Sequence, residues 1–323
     1  MKRLMIASLI LMLLALGLPL VGNGGDPAAP ADESAPPQAS AAPLGADRER
    51  SVSVLLGGEV VQMNVYDYLV GVVAAEMPAG FEQEALKAQA VAARSYLERA
   101  LFFGSKHENA DICTDSACCQ AYISDEKMRA NWGENYEANI RKIRDAVAET
   151  DGEYLVYDGE PALAAFHSSS AGKTESSASV WNELPYLVSV DSPETAGDVP
   201  NFVSSLELSE LDFRDTILHL RPDADMTGSA DSWLGAVERN DSGRVQSIVI
   251  GGRTISGEDM RTLFSLRSTA FELVHADGVF RFTVTGYGHG VGMSQYGANV
   301  MAQQGADHRQ ILEHYYSGAV ISG

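Results

Sequence analysis

Residues 24 to about 49 set the first limit on the fold. They hold five of the twelve prolines among Ala, Ser, Gly and acidic residues, with almost no large apolar side chain. Such a stretch cannot bury enough surface to offset its ordering entropy and reads as a disordered linker, 24–50. Folded sequence is therefore expected from about Ser51 onward. Before the linker, Lys2 and Arg3 precede an apolar run from Met5 to Gly22 whose one polar residue is Ser8. At about 1.5 Å rise per residue the run is long enough to approach a bilayer core of about 30 Å. No small-x-small cleavage site follows it, so 1–23 reads as a single-pass membrane anchor with the rest of the chain exported. A cleaved signal peptide is the alternative.

The formal net charge is −21, from 23 Lys+Arg against 44 Asp+Glu. A chain this acidic is not built to grip nucleic-acid phosphates. Local signals then divide the folded part. Ser51 to Gln62 alternates around Gly57-Gly58 and predicts a hairpin. Asn64 predicts an N-cap for a helix from Val65 that stops at Pro78. A second helix is expected over about 81–103, a third over about 134–150, and a hairpin around Asp158-Gly159. Residues 195–278 have a different, mixed composition with one clear strand at Val245 to Ile250, and read as an inserted lobe. Strand Val279 to Thr285 and two helices split by Gly305 close the chain. The fold class is α+β: a core from 51–194 and 279–323, interrupted by a smaller β-containing lobe.

Glu76 is the first candidate for chemistry. Val65, Leu69, Val72, Val73 and Glu76 fall on one helical face, which puts a carboxyl group at the end of an apolar stripe. Partial desolvation raises a carboxyl pKa, as a general acid near neutral pH requires. On the second helix Lys87 and Arg94 stand about two turns apart on one face. Further on, FHSSSAGKTE carries His167 and Ser169, and GHGVGMSQYG carries His289, Ser294, Gln295 and Tyr296 among glycines. Glycines at that density let a backbone come close to something, and polar groups between them suit a sugar. His107, Cys113, Cys118 and Cys119 supply four ligands within thirteen residues, enough for a tetrahedral zinc site. A local disulfide from Cys113 to Cys118 or Cys119 is the alternative in an exported chain.

AAEMP, EALKAQAVAARSY, FHSSSAGKTESSASVW, LPYLVSVDS and GHGVGMSQYGA, in this order, resemble the stage II sporulation protein D family of membrane-anchored peptidoglycan lytic transglycosylases. The resemblance implies that Glu76 is the catalytic acid/base and that Lys87, Arg94 and Tyr186 matter to function. It implies zinc bound by two His and two Cys in some relatives, with Cys118 here where a second His is expected. It also implies peptidoglycan glycan strands as substrate, and engulfment-complex partners: a wall amidase or endopeptidase and a membrane scaffold. A single carboxylate suits this chemistry, because the muramic C6 hydroxyl itself attacks the anomeric carbon. The same scaffold resembles amidase-enhancer proteins, so a wall-binding module without catalysis is the competing reading.

Overall fold

The computed structural model describes residues 45–322. The apolar run 5–22 and most of the expected linker lie outside these residues. Among the described residues no helix is long and apolar enough to cross a membrane.

Helix α1 (Ala46–Glu49) lies inside the expected linker, so the ordered body begins earlier than composition predicts. A tertiary contact is the reason. Asp47 is fully buried and takes hydrogen bonds from Arg94 at 2.6 and 2.9 Å. Strands β1 (Ser51–Leu56) and β2 (Glu59–Asn64) form the expected hairpin, with Gly57 and Gly58 both at positive φ, as a two-residue turn of matching twist requires. Asn64 caps α2 (Val65–Glu76) by accepting the Asp67 amide at 2.8 Å. The helix stops where Met77, preceding Pro78, turns to extended backbone. Helix α3 (Gln83–Phe103) is the Ala-rich element, and eleven of its residues are buried.

The cysteine loop contributes β3 (Ile112–Cys113), parallel to β1. Helices α4 (Asp125–Trp132) and α5 (Tyr136–Glu149) follow. The hairpin at Asp158-Gly159 is present but its second arm is short: β4 (Tyr154–Tyr157) pairs with β5 (Glu160–Pro161). Then come β6 (Phe166–His167) and the single turn α6 (Ser177–Val180).

The lobe contains β7 (Val203–Ser209), α7 (Glu210–Leu220), β8 (Leu234–Arg239), β9 (Val245–Ile250), β10 (Arg253–Ser256), α8 (Gly257–Leu263), β11 (Phe271–Ala276) and β12 (Val279–Thr285). Its sheets have the orders β11-β12-β7 and β10-β9-β8. Strand β12, assigned from sequence to the core, belongs to the lobe by pairing. Phe280, Phe282 and Val284 join Phe213, Trp233 and Ile248 in a second apolar cluster. The chain returns to the first cluster through β13 (Met293–Ser294), α9 (Gln295–Gln303), α10 (His308–Tyr315) and β14 (Val320–Ser322), the last pairing with β4. The α+β class and the interrupted core stand, with the lobe's far boundary at Thr285 rather than 278.

Candidate active site

Glu76 ends α2, and the helix is buried around nearly its whole circumference rather than along one stripe. Helices α1, α3 and α5 pack against it, and the cysteine loop covers a further part. Tyr122 lies so close to Gly71 that a Cβ there would stand 2.1 Å from the ring, and the Ile123 amide donates to the Gly71 carbonyl at 3.1 Å. This docking brings the Ala121 N–H within 2.7 Å of Glu76 Oε1. Burial raises the Glu76 pKa above the ordinary carboxyl value, and the Ala121 hydrogen bond opposes it in part. No neighbouring carboxylate or cation among the described residues contributes to that shift. The site thus holds one partly desolvated carboxyl group kept in place by a backbone amide.

The two glycine-bearing motifs meet. Phe166 and His167 of β6 pair in parallel with Met293 and Ser294 of β13. The glycines bring backbone close to the chain itself. At Gly292, with φ of 72°, a Cβ would stand 2.0 Å from the Ala165 carbonyl oxygen. At Gly290 it would stand 2.6 Å from the Arg244 guanidinium. His167 is buried: its Nδ1–H donates to the Val291 carbonyl at 3.3 Å, and Nε2 accepts the Ser170 hydroxyl at 2.7 Å. Burial, and the Arg244 charge, hold its pKa well below the usual histidine range. His289 packs edge-on to Trp181 at 5.2 Å, and its Nδ1 accepts the Val291 amide. Burial, with Arg261 and Arg244, lowers it to about 4, so both imidazoles are neutral.

Buried Glu194 ties the motifs together. One carboxylate oxygen accepts the Ser170 amide at 2.6 Å and the Ser294 hydroxyl at 2.5 Å. Ser294 also caps α9, and Gln295 donates to Gln89 of α3 at 3.2 Å. Tyr296 packs edge-on to Phe81 at 4.9 Å, and its amide donates to the Ser168 carbonyl. Phe81 is five residues beyond Glu76. The contact therefore joins the loop after α2 to the motif pair.

Three residues implied by resemblance are engaged by other groups of the chain. Arg94 is fully buried, held by Asp47 and by the Glu153 and Val147 carbonyls, so it has no open face for a sugar. Lys87 is paired with Glu84 at 2.8 Å and Glu149 at 2.6 Å. Tyr186 is buried against Tyr157, its hydroxyl accepting the Leu163 amide. These three set the packing of α3 and β4. Ser169 is buried with a hydroxyl that has no partner. The sequence reading misses Ala121 because a backbone donor has no composition signal. It misses Glu194 and Arg244 because each sits in an irregular segment far in sequence from what it touches.

His107, Cys113, Cys118 and Cys119 form one cluster, with ligand atoms all within 4.8 Å of one another. His107 Nε2 is 3.8 Å from Cys118 Sγ and 3.6 Å from Cys119 Sγ, and the two sulfurs are 3.9 Å apart. Bond lengths of about 2.0–2.3 Å to a tetrahedral zinc give ligand spacings of roughly 3.5–3.8 Å, so the set fits a metal. All three thiols are free. Burial, with the neighbouring sulfurs, pushes Cys119 up to about 12, a crowding that a bound dication relieves.

The Stage II sporulation protein (SpoIID) family model matches residues 57–157. Stage II sporulation protein D of Bacillus amyloliquefaciens is 38% identical over 259 residues, covering 79% of this chain and 73% of that protein. The protein of the same name from Bacillus subtilis (strain 168) is 38% identical over 260 residues, 79% of this chain and 74% of that one. The amidase enhancer of Bacillus subtilis is 27% identical over 313 residues, 79% of this chain and 40% of that protein.

Proposed function

Because the chain belongs to the stage II sporulation protein D family, we propose that it cleaves peptidoglycan glycan strands as a lytic transglycosylase, with Glu76 as acid and base. The observation that carries this reading is the carboxyl group at the end of α2, whose pKa is raised by burial with no other carboxylate among the described residues contributing to the shift. A two-carboxylate hydrolase needs a nucleophile or a base opposite its acid. Here Glu76 in its protonated form gives its proton to the glycosidic oxygen as the C1–O bond breaks. The resulting carboxylate takes the proton of the muramic C6 hydroxyl as that oxygen bonds to C1. The product is a 1,6-anhydro sugar, and Glu76 ends as it began. Activity should fall as pH rises through the raised Glu76 pKa, since the acid form starts the reaction.

Zinc at His107, Cys113, Cys118 and Cys119 would supply charge neutralisation that locks the loop, and all four positions being protein ligands makes it structural. The loop's own contribution is the Ala121 N–H that holds Glu76. In the same reading the apolar run 5–22 anchors the chain in the cell membrane, with the folded body outside acting on septal wall during engulfment. A wall amidase or endopeptidase and a membrane scaffold are its partners there. The similarity to an amidase enhancer supports a second reading, in which the body binds wall and stimulates an amidase without cutting.

The experiment is product analysis of purified glycan strands. The intact protein is expected to release anhydro ends, and Glu76→Gln to release none while keeping the same melting temperature. Reducing ends in place of anhydro ends would mean hydrolysis, and unaltered strands together with faster amidase turnover would establish the enhancer reading. Elemental analysis of protein purified without added metal should find one zinc per chain, and its absence removes the metal assignment.

A further inference from the structure

A strand containing N-acetylmuramic acid carries a lactyl group on every second sugar, and the sequence offers Lys87 and Arg94 to meet its carboxylate. Both already face carboxylates of the chain itself. Among the described residues the buried cation without a hydrogen-bond partner is Arg244, in the lobe. Its Nε, Nη1 and Nη2 are sealed from solvent and reach no acceptor. A guanidinium has five N–H donors, and leaving them unmet in a protein interior is costly, so such a group points to something that binds it.

The surroundings are shaped for an acceptor. Arg244 immediately precedes β9 and reaches beneath Gly290, where the missing Cβ makes the room. Glu175 is the carboxylate whose field acts most on Arg244, yet its oxygens are already taken. Oε1 accepts the Ser176 amide at 2.8 Å, and Oε2 accepts Asn240 at 2.6 Å and Ser242 at 2.8 Å. The charge is compensated while the donors stay open. On the adjacent motif pair the buried Ser169 hydroxyl also lacks a partner. A cleft of about 230 Å³ opens at this junction of core and lobe, lined among others by Glu175, Asn240, Val245, Glu258 and Thr269; Arg244, next in the chain to Val245, lies behind this lining.

We propose that this junction is a carboxylate site, where Arg244 receives a carboxylate carried by the glycan strand. The inference rests on the glycan reading above and names the chemical feature recognised. A carboxylate's two oxygens match the guanidinium fork, which supplies direction as well as charge. The guanidinium is covered in the described conformation, so the carboxylate enters as the cleft widens. The lobe then has a role: it brings to the motif pair the cation that the core keeps for its own ion pairs. Two sources carry this chemistry, the free lactyl group of a strand without peptides and the carboxylates of a stem peptide.

The test uses full-length Glu76→Gln protein, so that probes survive, and three oligosaccharides of equal length. One contains N-acetylglucosamine alone, one alternates it with muramic acid bearing free lactyl groups, and one carries stem peptides on those groups. At least one carboxylate-bearing probe should bind ten or more times tighter than the N-acetylglucosamine probe. Adding Arg244→Met should bring the affinities level without changing that of the uncharged probe, and Arg244→Lys should keep part of the difference. Tightest binding by the free-lactyl strand assigns the lactyl source, and tightest binding by the peptide-bearing strand assigns the peptide. Equal affinities for all three, or a preference that survives Arg244→Met, overturns the site. The comparison among probes needs no Arg244 variant, so poor folding of one does not shield the proposal. Failure of the lyase reading shows separately, as missing anhydro ends from the wild-type chain with the carboxylate preference intact.

Discussion

Arg94 and Arg244 are both fully buried, and their surroundings are opposite. Around Arg94 everything is matched: Asp47 faces the guanidinium, the Glu153 and Val147 carbonyls take further donors, and α1 is held down by the contact. Nearby, Lys87, Glu84, Glu149, Glu153, His308 and Arg309 continue a network in which each charge meets an opposite one. At the junction of core and lobe, Arg244 feels the field of Glu175 but has no hydrogen-bond partner, with two neutral histidines and an unmet serine hydroxyl on the motif pair. A buried charge with all its partners is a fastener. One without them is a cost to the free chain that a ligand can remove. The same residue type therefore does structural work in one region and is open for recognition in the other.

The largest effect should come from breaking the matched pair. Arg94→Met leaves Asp47 buried without its cation and is expected to cost about 3–5 kcal/mol in urea unfolding. Adding Asp47→Leu should return most of that, because two apolar residues replace two charges. Wild-type stability in the single variant would mean that Arg94 is not a fastener, and would restore it as a candidate for the substrate.

Arg244→Met should behave differently. It removes a buried cation with no hydrogen bonds to lose, so stability is expected to stay within about 1 kcal/mol of wild type or to rise. A loss as large as that at Arg94 would show that the two regions are alike after all.

The smallest effect is in pH, with opposite sign in the two regions. His308 stands between Glu84 and Glu153, and although burial opposes it, those carboxylates raise its pKa above the ordinary value of 6.5. Its contribution is fully present below about pH 6.5 and lost as pH rises through the folded value. Glu84, lowered to about 2 by Lys87 and His308 against its burial, contributes above about pH 4.5 and loses that as pH falls. His167 and His289 are held neutral, so the junction is most stable above about pH 6.5 and weakens on acidification toward the His289 value of about 4. Hydrogen exchange at pH 5.5 against 7.5 should show α10 better protected at the lower pH and residues 286–292 better protected at the higher. His308→Gln should abolish the first difference and leave the second. Parallel changes in both segments would contradict these assignments.

Legibility followed the range of each interaction. The Gly57-Gly58 turn, the Asn64 cap, the end of α2 before Pro78 and the Asp158-Gly159 turn are decided within a few residues, and the sequence reading has them in place. The interrupted core was also readable, from the change in composition after residue 194. The role of Arg94 was not, because the side chain that takes its charge is 47 residues away in a segment whose composition predicts disorder. Nor was the lobe's end, because β12 has the same alternation whether it pairs with the lobe or the core.

The sequence by itself determined the helices of the core that carry Glu76 and Arg94, the hairpin turns, the α+β class, the meeting of four metal-type ligands in one loop, and a carboxyl group at a helix end. These depend on backbone preference, spacing and side-chain chemistry, which are properties of neighbours along the chain. Only the tertiary structure decided which charges are free. Glu76 became a raised carboxyl because the end of α2 is buried, with the Ala121 amide of the cysteine loop holding it in place, Arg94 became a fastener because α1 folded back, and Arg244 was left without hydrogen-bond partners beneath Gly290. Solvation and pairing depend on what lies within a few ångströms in space, and chain spacing does not encode that distance.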